Sequence, residues 1–168
     1  MTDWTPNHVH FSQVGSFAAS IWLSSRATAA MIEAAMKAGR YETGGILIGR
    51  YGAETWSADI VEATPKPKGS SAGWFWFRRS PNGLGRLLEE RWREGLYYVG
   101  EWHFHPAGAP NPSGPDIRAM QKLALDEAYN CPSPILLILG GSPKTRWSIS
   151  ATLFRDGHAI HISDELVG

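Results

Sequence analysis

Apolar and polar positions along the chain switch between a helical and a strand period, and each switch marks a predicted element. From about Arg26 to Lys37, Ala and Met recur at helical spacing behind Ser24 and Ser25, which are suited to cap a helix, and Gly39 stands where helices stop. Ile46-Leu47-Ile48 and Ala58 to Ala63 read as two short strands joined by a turn through Gly49 to Gly52. Thr64 to Gly73, with its prolines, lysines, serines and glycines, keeps neither period and is expected to be an exposed loop. Trp74 to Phe77 reads as a strand with aromatics on both faces, and Ser80-Pro81 opens a helix that Gly95 closes. Leu96 to His105 is a further strand ended by Pro106, and after a loop of small residues and prolines a helix is expected from Ser113 to about Tyr129. Ile135 to Leu139 has the composition of a buried central strand, while Trp147 to Phe154, a turn at Asp156-Gly157 and His158 to Ile162 make a terminal hairpin. Strands interleaved with about three helices predict an α/β fold with a mixed β-sheet, antiparallel wherever a connection is too short for a crossover. No internal repeat, low-complexity tract or long linker interrupts the pattern, so a single domain over 1–168 is expected.

Composition narrows the function. The 168 residues carry 16 basic and 16 acidic side chains, a formal net charge of zero, without the basic surplus on which phosphate recognition relies. A nucleic-acid partner is therefore not expected. Neither is a membrane partner, since the longest strongly apolar run, Ile135 to Leu139, falls far short of the roughly 20 residues that span a bilayer. The lone cysteine, Cys131, excludes an intrachain disulfide and a Cys-rich zinc ribbon, and it suits a reducing cytoplasm. With no signal-peptide pattern at the N-terminus, cytoplasmic location is the expectation. The eight tryptophans, spread from Trp4 to Trp147, fit core and groove lining better than a local motif.

The chemistry concentrates in His103-Phe104-His105-Pro106 and, with seven residues between His105 and Ser113, in Ser113-Gly114-Pro115-Asp116. Residues two apart on a strand share a face, so His103 and His105 present adjacent imidazoles while Trp102 and Phe104 point into the opposite, apolar side. Two neutral imidazoles form a zinc half-site. The intervening loop is long enough to return Asp116 as a third ligand, which leaves one tetrahedral position for water, the layout of a catalytic zinc. Such a site lowers the water's pKa towards ~7 and needs a general base and an oxyanion donor. Glu42 and Ser113 are the candidates.

Each part has a plainer explanation. His8-Val9-His10 is a second His-x-His with no Ser and Asp nearby, and Ser113-Gly114-Pro115-Asp116 alone is a good helix capping box. The capping and metal readings are compatible. The four prescribed residue types coincide on the order of once per million start positions, so chance is a poor account of their combination. Glu101 is an alternative base that shares the face of His103, although a buried mid-strand carboxyl is better suited to support a ligand from behind. Cys131 is read as a small buried side chain, His158 and His161 as non-ligands facing opposite sides of a strand, and Arg78 and Arg79 as a solvated strand end.

Glu42-Thr43-Gly44-Gly45-Ile46-Leu47-Ile48-Gly49, followed by His-x-His-Pro, seven residues, Ser and then Asp, resembles the JAMM (MPN+) metalloproteases over roughly Glu42 to Leu139. The resemblance implies a cytidine-deaminase-like α/β fold, one Zn2+ per chain held by His103, His105 and Asp116, Glu42 as general base and Ser113 as oxyanion support. It also implies cleavage after the C-terminal glycine of a ubiquitin-like protein, by deconjugation or precursor processing. Phe75 to Pro81 and Gly95 to Tyr98 look like a bacterial subgroup encoded beside ubiquitin-like conjugation enzymes in anti-phage operons, including cyclic-oligonucleotide signalling systems, which makes E1- and E2-like enzymes further expected partners. Two loops, Thr64 to Gly73 and Pro106 to Pro112, are expected to clamp the glycine-ended tail as an added strand. The alternative is a non-catalytic MPN-type scaffold, which the complete residue set disfavours. A deaminase is disfavoured because it calls for a Pro-Cys-x-x-Cys segment.

Overall fold

The structure, a computed structural model, describes residues 8–15, 17–53, 56–65 and 84–166, the last four by their backbone alone. Its elements run β1 (Val9–Gln13), β2 (Ala19–Leu23), α1 (Ser25–Ala38), β3 (Thr43–Tyr51), β4 (Ser57–Ala63), α2 (Leu84–Arg93), β5 (Tyr97–Pro106), α3 (Gly114–Ala124), a 3₁₀ turn (Glu127–Tyr129), β6 (Ile135–Ser142), β7 (Arg146–Arg155) and β8 (His158–Leu166). The strands form one mixed sheet in the order β1-β2-β4-β3-β5-β6-β7-β8, with β2–β4 and β5–β6 parallel and the other pairs antiparallel. The sheet curves until its outer strands, β1 and β8, lie against each other.

The α/β expectation holds, as do most elements. Helix α1 begins where Ser24 Oγ accepts the Ala27 N–H, and ends where the Gly39 N–H donates to the Ala35 carbonyl. The expected strand Trp74 to Phe77, the Ser80-Pro81 helix start, Arg78, Arg79 and most of the Thr64 to Gly73 loop lie outside the described residues. Two expectations change. The strands β1 and β2 precede the first expected element, and α3 stops at Ala124 instead of reaching Tyr129. Beyond it Leu125 is 76% exposed. Asp126 then turns its side chain onto the Ala128 N–H, starting a separate 3₁₀ turn in competition with the helix.

Among the described residues, three apolar clusters divide the two faces of the sheet. On one face Ala27, Met31 and Ala35 of α1 pack with Ile21, Leu47, Ile60, Trp102, Phe104, Leu137 and Ile149. On the other, α3 covers Leu136, Ile138 and Phe154 with Met120 and Leu123, and α2 sets Leu84, Leu87 and Leu88 against Ile46, Ile48 and Leu96. Strand β5 runs through the middle, so its alternate residues enter different environments. Trp102 and Phe104 are fully buried in the main core, worth about 2 kcal/mol each in transfer free energy. The Trp102 indole also donates to the Thr64 carbonyl at 2.8 Å. The parallel step from β5 to β6 requires a crossover, and α3 is that crossover.

Candidate active site

The faces of β5 turned away from Trp102 and Phe104 carry Glu101, His103 and His105. His103 is paired in register with Gly44 of β3 on one side and Ile138 of β6 on the other, which fixes it in mid-sheet at 1% exposure. Thr43 opens β3 opposite Phe104, so Glu42, the residue before it, arrives beside His105 at the end of the ladder. Glu42 is exposed, and its charge reaches His105.

Asp116 comes from the first turn of α3. Ser113 is the N-cap, Pro115 sits in the first turn, and Ser113 and Asp116 form a complete capping box. The Ser113 N–H and O–H both donate to Asp116 Oδ2, at 2.7 and 2.6 Å. With that oxygen held, Oδ1 lies 2.9 Å from His103 Nδ1, and Oδ2 is 3.5 Å from His105 Nε2. One carboxylate thus serves a helix start and faces two imidazoles. Burial pushes the Asp116 carboxyl up, but hydrogen bonds from His103, His105 and Ser113 outweigh it and hold the group ionised, well below the usual carboxylate range. The bond to Asp116 raises the pKa of His105 in turn, against partial burial, and Glu42 adds to that rise.

One potential ligand atom from each of His103, His105 and Asp116 lies within 4.8 Å of the others. Two nitrogens and a carboxylate oxygen converging this closely fit a divalent cation of the zinc type, and three protein donors are one short of a tetrahedral set. The structure therefore brings His103, His105, Asp116 and Ser113 into direct contact and sets Glu42 at their border. The second His-x-His does something else: His10 Nε2 lies 2.7 Å from Ser20 Oγ, and its ring stacks on Trp22 at 3.9 Å. Cys131 is buried beside the Tyr51 hydroxyl, and its thiol is pushed up to about 11 by burial, as expected of a packed rather than reactive cysteine.

The loop from Pro106 to Pro112 is strongly anchored. The Ala107 N–H donates to the Gly141 carbonyl, the Gly108 N–H to the His105 carbonyl, and the buried Ser150 hydroxyl to the Pro110 carbonyl. A Cβ on Gly140 would stand 2.6 Å from Pro110 N and 2.7 Å from the Gly108 carbonyl oxygen, so only glycine lets the loop lie this close to β6. This seating delivers Ser113 and Asp116 to the histidines.

Strand parity alone misses Tyr98. By alternation it would share the face of Trp102, but the β3–β5 register shifts between Gly100 and Tyr98, leaving Val99 as an extra residue. Val99 enters the main core, and Tyr98 comes round to donate to Glu101 Oε1 at 3.3 Å. Gly100 permits this with φ 151°, and a Cβ there would collide with the Ile135 carbonyl. A glycine inside a strand was the visible signal.

Comparison with known proteins agrees with this geometry. Residues 24–150 match the family described as prokaryotic homologs of the JAB domain. A protein of Enterobacter hormaechei subsp. hoffmannii named CD-NTase/cGAS isopeptidase is 48% identical over 160 residues, covering 95% of this chain and 88% of that one. Among solved structures, a protein from Desulfitobacterium hafniense superposes with a TM-score of 0.56 at 20% identity, covering 84% of this chain and 87% of its own. One from Salinibacter ruber gives 0.52 at 15% identity with the same coverage, 84% and 87%, and both establish a shared fold. The histidine strand, the capped helix and the family match converge: the chain belongs to the prokaryotic JAB-domain family and is a JAMM-type peptidase.

Proposed function

We propose that this single-domain chain is a zinc-dependent isopeptidase that cleaves after the C-terminal glycine of a ubiquitin-like protein, as a cytoplasmic component of an anti-phage system. The observation that carries the reading is the convergence of His103, His105 and Asp116 within 4.8 Å, with Glu42 at their edge. The name of the Enterobacter relative, an isopeptidase acting in a CD-NTase/cGAS context, supports the substrate class. E1- and E2-like enzymes that build the conjugates are the corresponding partners.

His103, His105 and Asp116 hold the metal in this reading. When bound, zinc supplies Lewis-acid polarisation of a water and of the scissile carbonyl. Glu42, exposed and outside the buried ligand set, takes the proton from the attacking water and returns it to the leaving amine, so the C–N bond is replaced by a C–O bond without net proton loss. Ser113 turns its hydroxyl from Asp116 to the carbonyl oxygen as negative charge develops there. The anchored loop from Pro106 to Pro112 serves as a fixed side of the clamp on the tail.

Zinc per purified chain, compared between wild type and Asp116→Ala, tests the site, and cleavage of a ubiquitin-like fusion tests the activity. Near one zinc, lost in the variant, with cleavage by wild type alone is the expected result. Absence of zinc even after supplementation would sink the reading and favour a non-catalytic scaffold.

A further inference from the structure

We infer that Glu101, itself held by Tyr98, is a positioning residue that sets the rotation of the His103 imidazole from the side away from the metal. This rests on the metal reading above and adds a residue to it. The two nitrogens of the buried His103 ring face two different carboxyls: Nδ1 lies 2.9 Å from Asp116 Oδ1, and Nε2 lies 3.6 Å from Glu101 Oε2. Asp116 alone of these two also neighbours His105, so the cation belongs on the Asp116 side and Glu101 is left behind the ring. The 3.6 Å separation is longer than a hydrogen bond, and a small side-chain rotation closes it.

Glu101 is unsuited to the other roles open to a carboxyl. It is 3% exposed in mid-strand, closed off from solvent, whereas Glu42 is exposed. It also stands outside the convergent ligand group. Burying a carboxyl is costly unless it is hydrogen-bonded, and the chain arranges a partner by an unusual route. The bulge at Val99 carries Tyr98 onto this face, where its hydroxyl donates to Oε1 and leaves Oε2 directed at His103. Tyr98 is packed in turn against the Tyr129 ring at 5.6 Å. The result is a line of neighbours, Tyr98 to Glu101 to His103 to Asp116 to Ser113, buried through its three middle members, that links a packed phenol to the helix cap. A carboxyl on the distal nitrogen of a ligating histidine fixes tautomer and ring orientation and strengthens the donor.

The test uses the full chain as wild type, Glu101→Gln and Tyr98→Phe. Zinc affinity is read by competition with a chromophoric chelator, the cobalt(II) spectrum reports the ligand field, and the melting midpoint of the metal-free protein reports folding. Glu101→Gln keeps the shape and the Tyr98 bond while removing the charge. It is expected to weaken zinc by about 10–100-fold and alter the cobalt spectrum, with the metal-free midpoint nearly unchanged. Tyr98→Phe is expected to weaken zinc several-fold, and it carries the test if Glu101→Gln does not fold. Wild-type affinity in the folded variants overturns the positioning role, including the case in which only the metal-free midpoint falls. A wild type that binds no zinc overturns the metal reading and this inference together.

Discussion

Ser113 and Asp116 hold each other through three hydrogen bonds, two donated by Ser113 to Oδ2 and one returned from the Asp116 N–H to Ser113 Oγ at 3.2 Å. The cap of α3 and the aim of the third ligand are therefore one arrangement. Ser113→Ala is expected to cost about 1 kcal/mol through the lost cap. For a chain of this size that is a fall of roughly 2–4 °C in melting midpoint, measurable by calorimetry. The freed carboxylate should also bind zinc more weakly, with Ser113→Thr restoring both properties. A variant that keeps midpoint and zinc would show that the cap does not aim Asp116.

Glu42→Ala separates base from ligands. Glu42 stands at the border of the site rather than within the convergent group, so the variant should retain zinc while turnover on a ubiquitin-like fusion falls by about 10²–10⁴. Metal analysis alongside cleavage rates checks it. Unchanged turnover would remove Glu42 from the mechanism.

His105→Ala should behave oppositely and lose metal and turnover together. The imidazole is half-buried near the end of β5, so its removal leaves the main core intact, and the metal-free midpoint is expected within a few degrees of wild type. Retention of stoichiometric, tight zinc would exclude His105 as a ligand.

Gly140→Ala probes the loop seating. Its added methyl meets backbone atoms of Gly108, Ala109 and Pro110 at 2.6–2.8 Å, contacts that a side-chain rotation cannot relieve. A loss of about 1–3 kcal/mol in urea unfolding is expected, together with weaker zinc binding as Asp116 is carried away with the loop. Stability loss with wild-type zinc affinity would separate the loop from the site.

Cys131 offers a test by pH. Its thiol is held neutral by burial, with a pKa of about 11 when folded against the ordinary 9.0. The raised value means that the contribution to stability is complete below pH 9 and is lost as pH rises through 11. Alkylation at pH 8 is therefore expected to be slow in the native protein and fast in denaturant. Rapid native labelling would contradict the packed environment beside Tyr51.

The site was more legible in the sequence than the sheet around it. His-x-His needs only strand parity, and Ser113 to Asp116 needs only capping chemistry, both local rules. Strands β1 and β2 escaped notice because five residues give too few alternations to stand out, although Val9, Phe11, Ile21 and Leu23 are buried as a period of two requires. The end of α3 was overrun because an apolar residue followed by a local side-chain turn at Asp126 mimics another helical turn. The role of Tyr98 was not legible because a bulge is a relation between two strands, visible in one of them only as Gly100.

Because β5 gives Trp102 and Phe104 to the main core and His103 to the site from mid-sheet, that ligand can move only when the centre of the sheet opens, and His105 follows it on the same strand. Asp116 rides instead on the first turn of a helix, held there by side-chain bonds. Local fluctuations release such turns far more often than central strands. Metal uptake and loss should accordingly follow the breathing of the α3 terminus, and the residence time of the ion should be set by the cap rather than by the histidines.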